Sequence, residues 1–177
     1  PKIANLADEK GFSLIAQKDR KEYFGDVYST KYYGSFAELA QAQRHRTLSY
    51  EIKELNFATF YVPKIIRDNE TLKTMWVEDM LKVKDITPQG QIVQIFERGT
   101  PENFILKLKE RLCTCAQLEI NDQTKATLEK YIKNTDDAEV KAMLEKYNKG
   151  ARCTSGFKCN TPCKFADGIN LNREIWK

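Results

Sequence analysis

Residues 91–120 read QIVQIFERGTPENFILKLKERLCTCAQLEI, a short β-forming run followed by the clearest helical pattern in the chain. Gln91 to Phe96 is rich in β-branched and aromatic residues and predicts a strand. Thr100 followed by Pro101 has the form of an N-cap with proline at the first helical position. Phe104, Leu108, Leu112 and Cys115 then recur at three- and four-residue intervals, which predicts a helix to about Ile120 and a further helical stretch from Thr124 to Ile132. Working outward, Leu72, Met75, Trp76, Met80 and Val83 mark an amphipathic helix, with a turn at Pro88 and Gly90. A last helix is expected over about Ala138 to Tyr147, with Gly150 as its stop. Upstream, Ser35 and Glu38 form a capping box that starts a helix near Phe36, and its pattern runs as far as residues 44–46. Phe57 to Val62 reads as a short strand or buried extended segment, and Tyr23 to Tyr33 as a strand or hairpin. Long helices with few strands give an α+β domain.

The chain has 177 residues, 41% of them hydrophobic and 11% aromatic, enough to bury one core. One domain is expected over residues 1–150, followed by a cysteine-containing tail over 151–177. Lys and Arg exceed Asp and Glu by four, but the charges are interspersed, so the balance does not point to nucleic acid or membrane. No stretch has the apolar length of a spanning helix and the start lacks the apolar core of a signal peptide, so a cytoplasmic protein is expected. The cysteines at 113, 115, 153, 159 and 163 are odd in number, so reduced thiols are the expectation. Their spacing lacks the close pairs of a zinc or iron–sulfur site, and no metal is expected.

Two clusters offer chemistry. Arg44-His45-Arg46 contains the only histidine and many donors for phosphates or an electron-rich ring system. On a continuing helix Gln41 lies one turn before Arg44, so the two would face one ligand; the plainer reading is a solvated basic patch beside Glu51 and Glu54. Arg111 lies beside an apolar stripe and needs acceptors, either a ligand or a neighbouring carboxylate such as Glu119 or Glu110.

Three segments together resemble the flavin-dependent thymidylate synthases. The family hallmark R-H-R-x-x-S, preceded by glutamine, is matched by Gln41-Ala42-Gln43-Arg44-His45-Arg46-Thr47-Leu48-Ser49. Its later arginine-to-A-Q-x-E-I pattern is matched by Arg111 to Ile120, and a cysteine-bearing tail by Gly150 to Cys159. Order and spacing agree over about residues 34–163. The resemblance implies long helices on a small, mostly antiparallel sheet and a cytoplasmic homotetramer. It also implies reductive methylation of dUMP or a related pyrimidine nucleotide, with FAD bound and NADPH and methylenetetrahydrofolate as co-substrates. By the family pattern Arg44, His45, Arg46 and Thr47 would contact the flavin. Gln41, Arg44, Ser49, Lys84 and Arg111 would contact the nucleotide, with Arg111 as the catalytic charge that stabilises the enolate-like ring.

Some positions depart from the family. Its second serine and the arginine that grip the phosphate are replaced by Glu54 and Asn56, and an Asn-x-Arg flavin contact by Thr100-Pro101-Glu102. An acid at 54 would repel a phosphate. These changes leave open two other readings: a non-catalytic homologue acting as a partner subunit, and a pyrimidine nucleotide hydroxymethylase. A nucleic-acid partner is not expected, because no recognised RNA-binding motif accompanies the basic triplet.

Overall fold

The computed structural model describes residues 12–15, 27–113 and 115–149. The tail cysteines 153, 159 and 163, Gly150 and the segment 23–26 lie outside the described residues. Strands β1 (Phe12–Ile15), β2 (Val27–Ser35), β3 (Ser49–Lys53) and β4 (Ile92–Gly99) form one sheet in the order β1-β2-β4-β3. Every pairing is antiparallel. Helices are α1 (Phe36–Ala42), α2 (Lys64–Arg67), α3 (Glu70–Lys82), α4 (Pro101–Arg111), α5 (Leu118–Asn134) and α6 (Ala138–Glu145), with a 3-10 turn at Lys84–Ile86. The α+β architecture and the small antiparallel sheet are as the sequence leads one to expect.

Side-chain alternation divides the sheet into two faces. Tyr28, Tyr32, Val93 and Ile95 are buried on the inner face, while Ser49, Glu51 and Phe96 are exposed on the outer one. The larger core cluster joins Tyr28 and Leu48 to Phe104, Leu108 and Leu112 of the α4 segment and to Leu128, Tyr131 and Leu144 of α5 and α6. Tyr131 sits edge-on to both Tyr28 and Phe104, with ring centroids 5.1 and 4.8 Å apart. A smaller cluster of Tyr32, Leu39, Val93 and Ile95 lies beneath α1.

Several helix ends differ from the sequence pattern. The first is α1, which stops at Ala42, so Arg44, His45 and Arg46 occupy turns and Gln41 and Arg44 do not share a helical face. The His45 amide donates to Ala42 O rather than one turn further back to Gln41 O, and the Leu48 amide donates to His45 O. Likewise, α4 ends at Arg111 and not near Ile120, which places Cys115 in a turn. Asn121 holds that break by donating its side-chain amide to Arg111 O at 2.8 Å and Cys113 O at 3.2 Å. The predicted helix over 124–132 is the middle of α5, which already begins at Leu118.

The cap at Thr100 is as read, with its hydroxyl accepting from the Asn103 amide. Phe57 to Val62 forms no strand beyond a bridge between Phe60 and Gln91, flanked by backbone bonds from the Tyr61 amide to Gly90 O and from the Ile92 amide to Thr59 O, and Phe57 itself lies in a bend and is exposed. Helix α3 has no fully buried residue; Leu72, Met75 and Leu81 are exposed, and Trp76 anchors it by donating to Tyr61 O at 3.0 Å. The expected apolar face of this helix is therefore only half covered.

Candidate functional site

The stop of α1 creates the site's first contact. Because the His45 amide turns to Ala42 O, Gln41 O is left without its helical donor. Arg111 fills that place, donating from Nη2 to Gln41 O at 3.0 Å and from Nε to His45 Nε2 at 2.8 Å. The Gln41 side chain in turn donates from Nε2 to Gln117 Oε1. Residues 41–45 and 111–117, far apart in sequence, thus interlock through side chains at the ends of α1 and α4. Of the two carboxylates considered for Arg111, Glu119 is engaged by Ser35 instead. Glu110 acts on Arg111 through its charge.

This geometry fixes the chemistry of the pair. A ring nitrogen that accepts from a guanidinium must be unprotonated, so His45 is neutral with its proton on Nδ1. Burial, then the positive charges of Arg111 and Lys107, lower its pKa from 6.5 to about 4. Arg111 is half-buried, and burial pushes its pKa down, opposed by Glu110 and reinforced by Arg44. At neutral pH the site therefore presents one cation oriented by an uncharged imidazole.

A stability consequence follows. Between pH 6.5 and about 4 the unfolded His45 takes a proton that the folded one refuses. Its contribution is fully present above pH 6.5 and is lost as the pH falls towards 4. Urea unfolding at about pH 7 and about pH 5 is expected to show a drop for the native protein that His45→Gln reduces. An equal drop in both would contradict the assignment.

The remaining candidate residues are distributed around this pair. Arg44, Arg46 and Thr47 are exposed in the turns flanking His45. Ser49 points to the outer face of the sheet, in a concavity of about 240 Å³ lined also by Ser29, Glu51, Phe96, Glu97 and Arg98. There Arg98 is bonded to Glu51 at 3.0 Å. Lys84 stands exposed in the 3-10 turn after α3. The structure therefore joins Gln41, His45 and Arg111 directly, whereas Ser49 lies on the outer face of the sheet and Lys84 in the turn after α3. Glu54, Asn56 and Glu102 are all exposed.

Sequence reading missed the polar interior next to the pair. Tyr50 is registered opposite Glu97, and its hydroxyl is buried without a hydrogen-bond partner among the described residues. Burial and the Glu97 charge raise its pKa beyond reach, so it is a neutral phenol. Glu97 Oε2 accepts from Tyr32 Oη at 3.0 Å and from Lys107 Nζ at 2.5 Å. Alternation through Ser49-Tyr50-Glu51-Ile52 places Tyr50 inward, and Lys107 falls beside Phe104 and Leu108 on the apolar side of α4, where a lysine needs a carboxylate.

No helix among the described residues is long and apolar enough to cross a membrane. Among the described residues there is also no cluster of histidine, cysteine and acidic side chains placed to hold a metal ion. No family model and no curated protein matches this chain.

Proposed function

We propose that this chain is a flavin-dependent thymidylate-synthase-like methyltransferase acting on dUMP or a related pyrimidine nucleotide, working as a homotetramer. The observation that carries the reading is the contact of Arg111 with both His45 and Gln41. The two motifs that suggest the family are separate in sequence, and a shared site requires that they meet.

The residues present fit the two ligands by their chemistry. Arg44, Arg46 and Thr47 are exposed donors in the two turns flanking His45, suited to the anionic portion of FAD. FAD, when bound, would carry electrons from NADPH to the carbon delivered by methylenetetrahydrofolate. Arg111 supplies a fixed positive charge for a uracil edge that becomes electron-rich as its C5 turns nucleophilic. His45 holds the guanidinium plane without adding a second charge of its own. With Glu54 in place of a phosphate-binding serine, Arg44, which the family pattern places against both flavin and nucleotide, would be the exposed guanidinium beside the pair that meets the nucleotide phosphate.

The test is retention of flavin. Purified protein mixed with FAD and freed of excess is expected to keep the visible flavin absorption bands, and Arg46→Ala to lose them while keeping its circular dichroism spectrum. Protein that retains no flavin at micromolar concentration sinks the self-sufficient enzyme and favours a partner-subunit role.

A further inference from the structure

Strand register brings together side chains that the sequence keeps apart. On the outer face of the sheet Phe96 of β4 is paired with Lys31 of β2 on one side and with Glu51 of β3 on the other. One step along, Tyr33 and Lys53 flank Gln94. One step back, Ser29 and Ser49 flank Arg98. Strand alternation puts these side chains on the face opposite the core. Their inward neighbours Tyr32, Ile95 and Glu97 are buried, whereas Phe96, Glu51 and Lys53 are exposed.

The face is aromatic and basic. Tyr33 is diagonal to Phe96 across the β2–β4 pair, a separation of about 7–8 Å. Gln94 Nε2 donates to Tyr33 Oη at 2.7 Å, which tethers that ring beside Phe96. Lys31 and Lys53 stand on opposite sides of the β4 strand that carries Phe96. Glu51 is the carboxylate of this group, and Arg98 Nη2 holds it at 3.0 Å, offsetting a charge that would repel an anion. The concavity of about 240 Å³ beside Phe96 offers the Ser29 and Ser49 hydroxyls together with the Arg98 guanidinium and the Glu51 carboxylate, so its wall carries both donors and acceptors.

We propose that this face binds a single-stranded polynucleotide. Bases stack on the rings of Phe96 and Tyr33, a contact that tolerates any sequence because every base has a π face. Lys31 and Lys53 meet phosphates on either side of the stacked bases. The two rings lie about twice as far apart as neighbouring nucleotides in a duplex strand. Consecutive bases reach both rings only when they are unstacked from each other, which a single strand permits and a duplex does not. The donors and acceptors of the concavity face the edge of the base on Phe96. An apolar partner would strip water from Lys31 and Lys53 and return no counter-charge, whereas a polyanion supplies one. The absence of a linear RNA-binding motif is no obstacle, since the two rings come from different strands and meet only through register. The proposal does not rest on the flavin reading, and it uses none of the residues assigned there except Ser49.

Fluorescence anisotropy of a labelled oligothymidylate of about ten nucleotides, mixed with the full chain, is the test. The native protein is expected to bind it saturably, with an unlabelled duplex of the same length and free dTMP both far weaker competitors than the unlabelled strand. Phe96→Ala is expected to weaken binding at least about fivefold, the low end for loss of one stacked base, and Phe96→Trp to retain it. Phe96 is exposed, so its removal leaves the core clusters intact. Independently of any ring variant, Lys31→Gln and Lys53→Gln are each expected to lower the slope of log affinity against log salt by about 0.7. Arg46→Ala, which removes a flavin contact, is expected to bind the strand as the native protein does. No binding by the native chain, equal competition by duplex or dTMP, or native affinity in Phe96→Ala overturns the proposal. Binding abolished by Arg46→Ala overturns it as well, because the strand would then lie on the turns around His45. Flavin retention is a separate measurement, so either reading can fail while the other stands.

Discussion

Lys107→Met is expected to cost about 3–5 kcal/mol of folding stability, the largest single-residue loss in this molecule. Lys107 and Glu97 are 0% and 1% exposed, with Nζ 2.5 Å from Oε2. Methionine fills the space of the lysine stem, so the loss comes from the carboxylate left behind rather than from a cavity. Among the described residues Glu97 then keeps the Tyr32 hydroxyl at Oε2, while its Oε1 already lacks a partner there. The ammonium also lies 5.5 Å from the Tyr32 ring centroid, a contact that methionine replaces only in part. Small domains have total stabilities of about 5–15 kcal/mol, so the variant is expected to be marginally folded. The double variant Lys107→Met/Glu97→Leu is expected to regain most of the loss, since exchanging both partners of a buried pair for apolar groups is often neutral. Urea unfolding of the two proteins checks this, and a double variant as unstable as the single one would locate the cost in packing instead.

The second large effect falls on activity. Arg111→Gln is expected to lower dUMP-dependent NADPH oxidation about 100- to 1,000-fold, the range for removal of one preorganised charge at a developing anion. Glutamine retains hydrogen-bonding capacity toward Gln41 O or His45, which separates the loss of charge from a collapse of the site. The fold is expected to persist, because the hydrophobic cluster of Phe104, Leu108 and Leu112 is untouched. Steady-state rates at saturating dUMP measure the effect. A variant with native turnover would remove Arg111 from the chemistry.

Much of the fold was legible where local rules and tertiary demands agree. Thr100-Pro101 announces α4, and β-branched and aromatic content marks β4, because a cap and a strand need only their own residues. Helix ends without glycine or proline were not legible. Both α1 and α4 stop where a distant side chain takes over an end carbonyl, Arg111 for Gln41 and Asn121 for Arg111. Neither event leaves a mark in the local sequence. The same cause hid the partner of Glu119: a capping box read locally assigns Ser35 to Glu38, whereas α5 brings a competing carboxylate from 84 positions away. The meeting of Arg111 with His45 was suggested by motif resemblance alone, and nothing in periodicity indicated it. Ser49 shows the reverse case. It stands in the motif, but strand alternation turns it to the opposite face from Tyr50.

The central claim, that Gln41, His45 and Arg111 form one pyrimidine-nucleotide site beside a bound flavin, is tested most directly by adding dUMP to the flavin-loaded protein and following the visible flavin bands. A saturable spectral change is predicted in the native chain, with at least about tenfold weaker apparent affinity in Arg111→Gln, as loss of a charge-assisted contact implies. A flavin spectrum indifferent to dUMP, or a change of equal affinity in the variant, would contradict it.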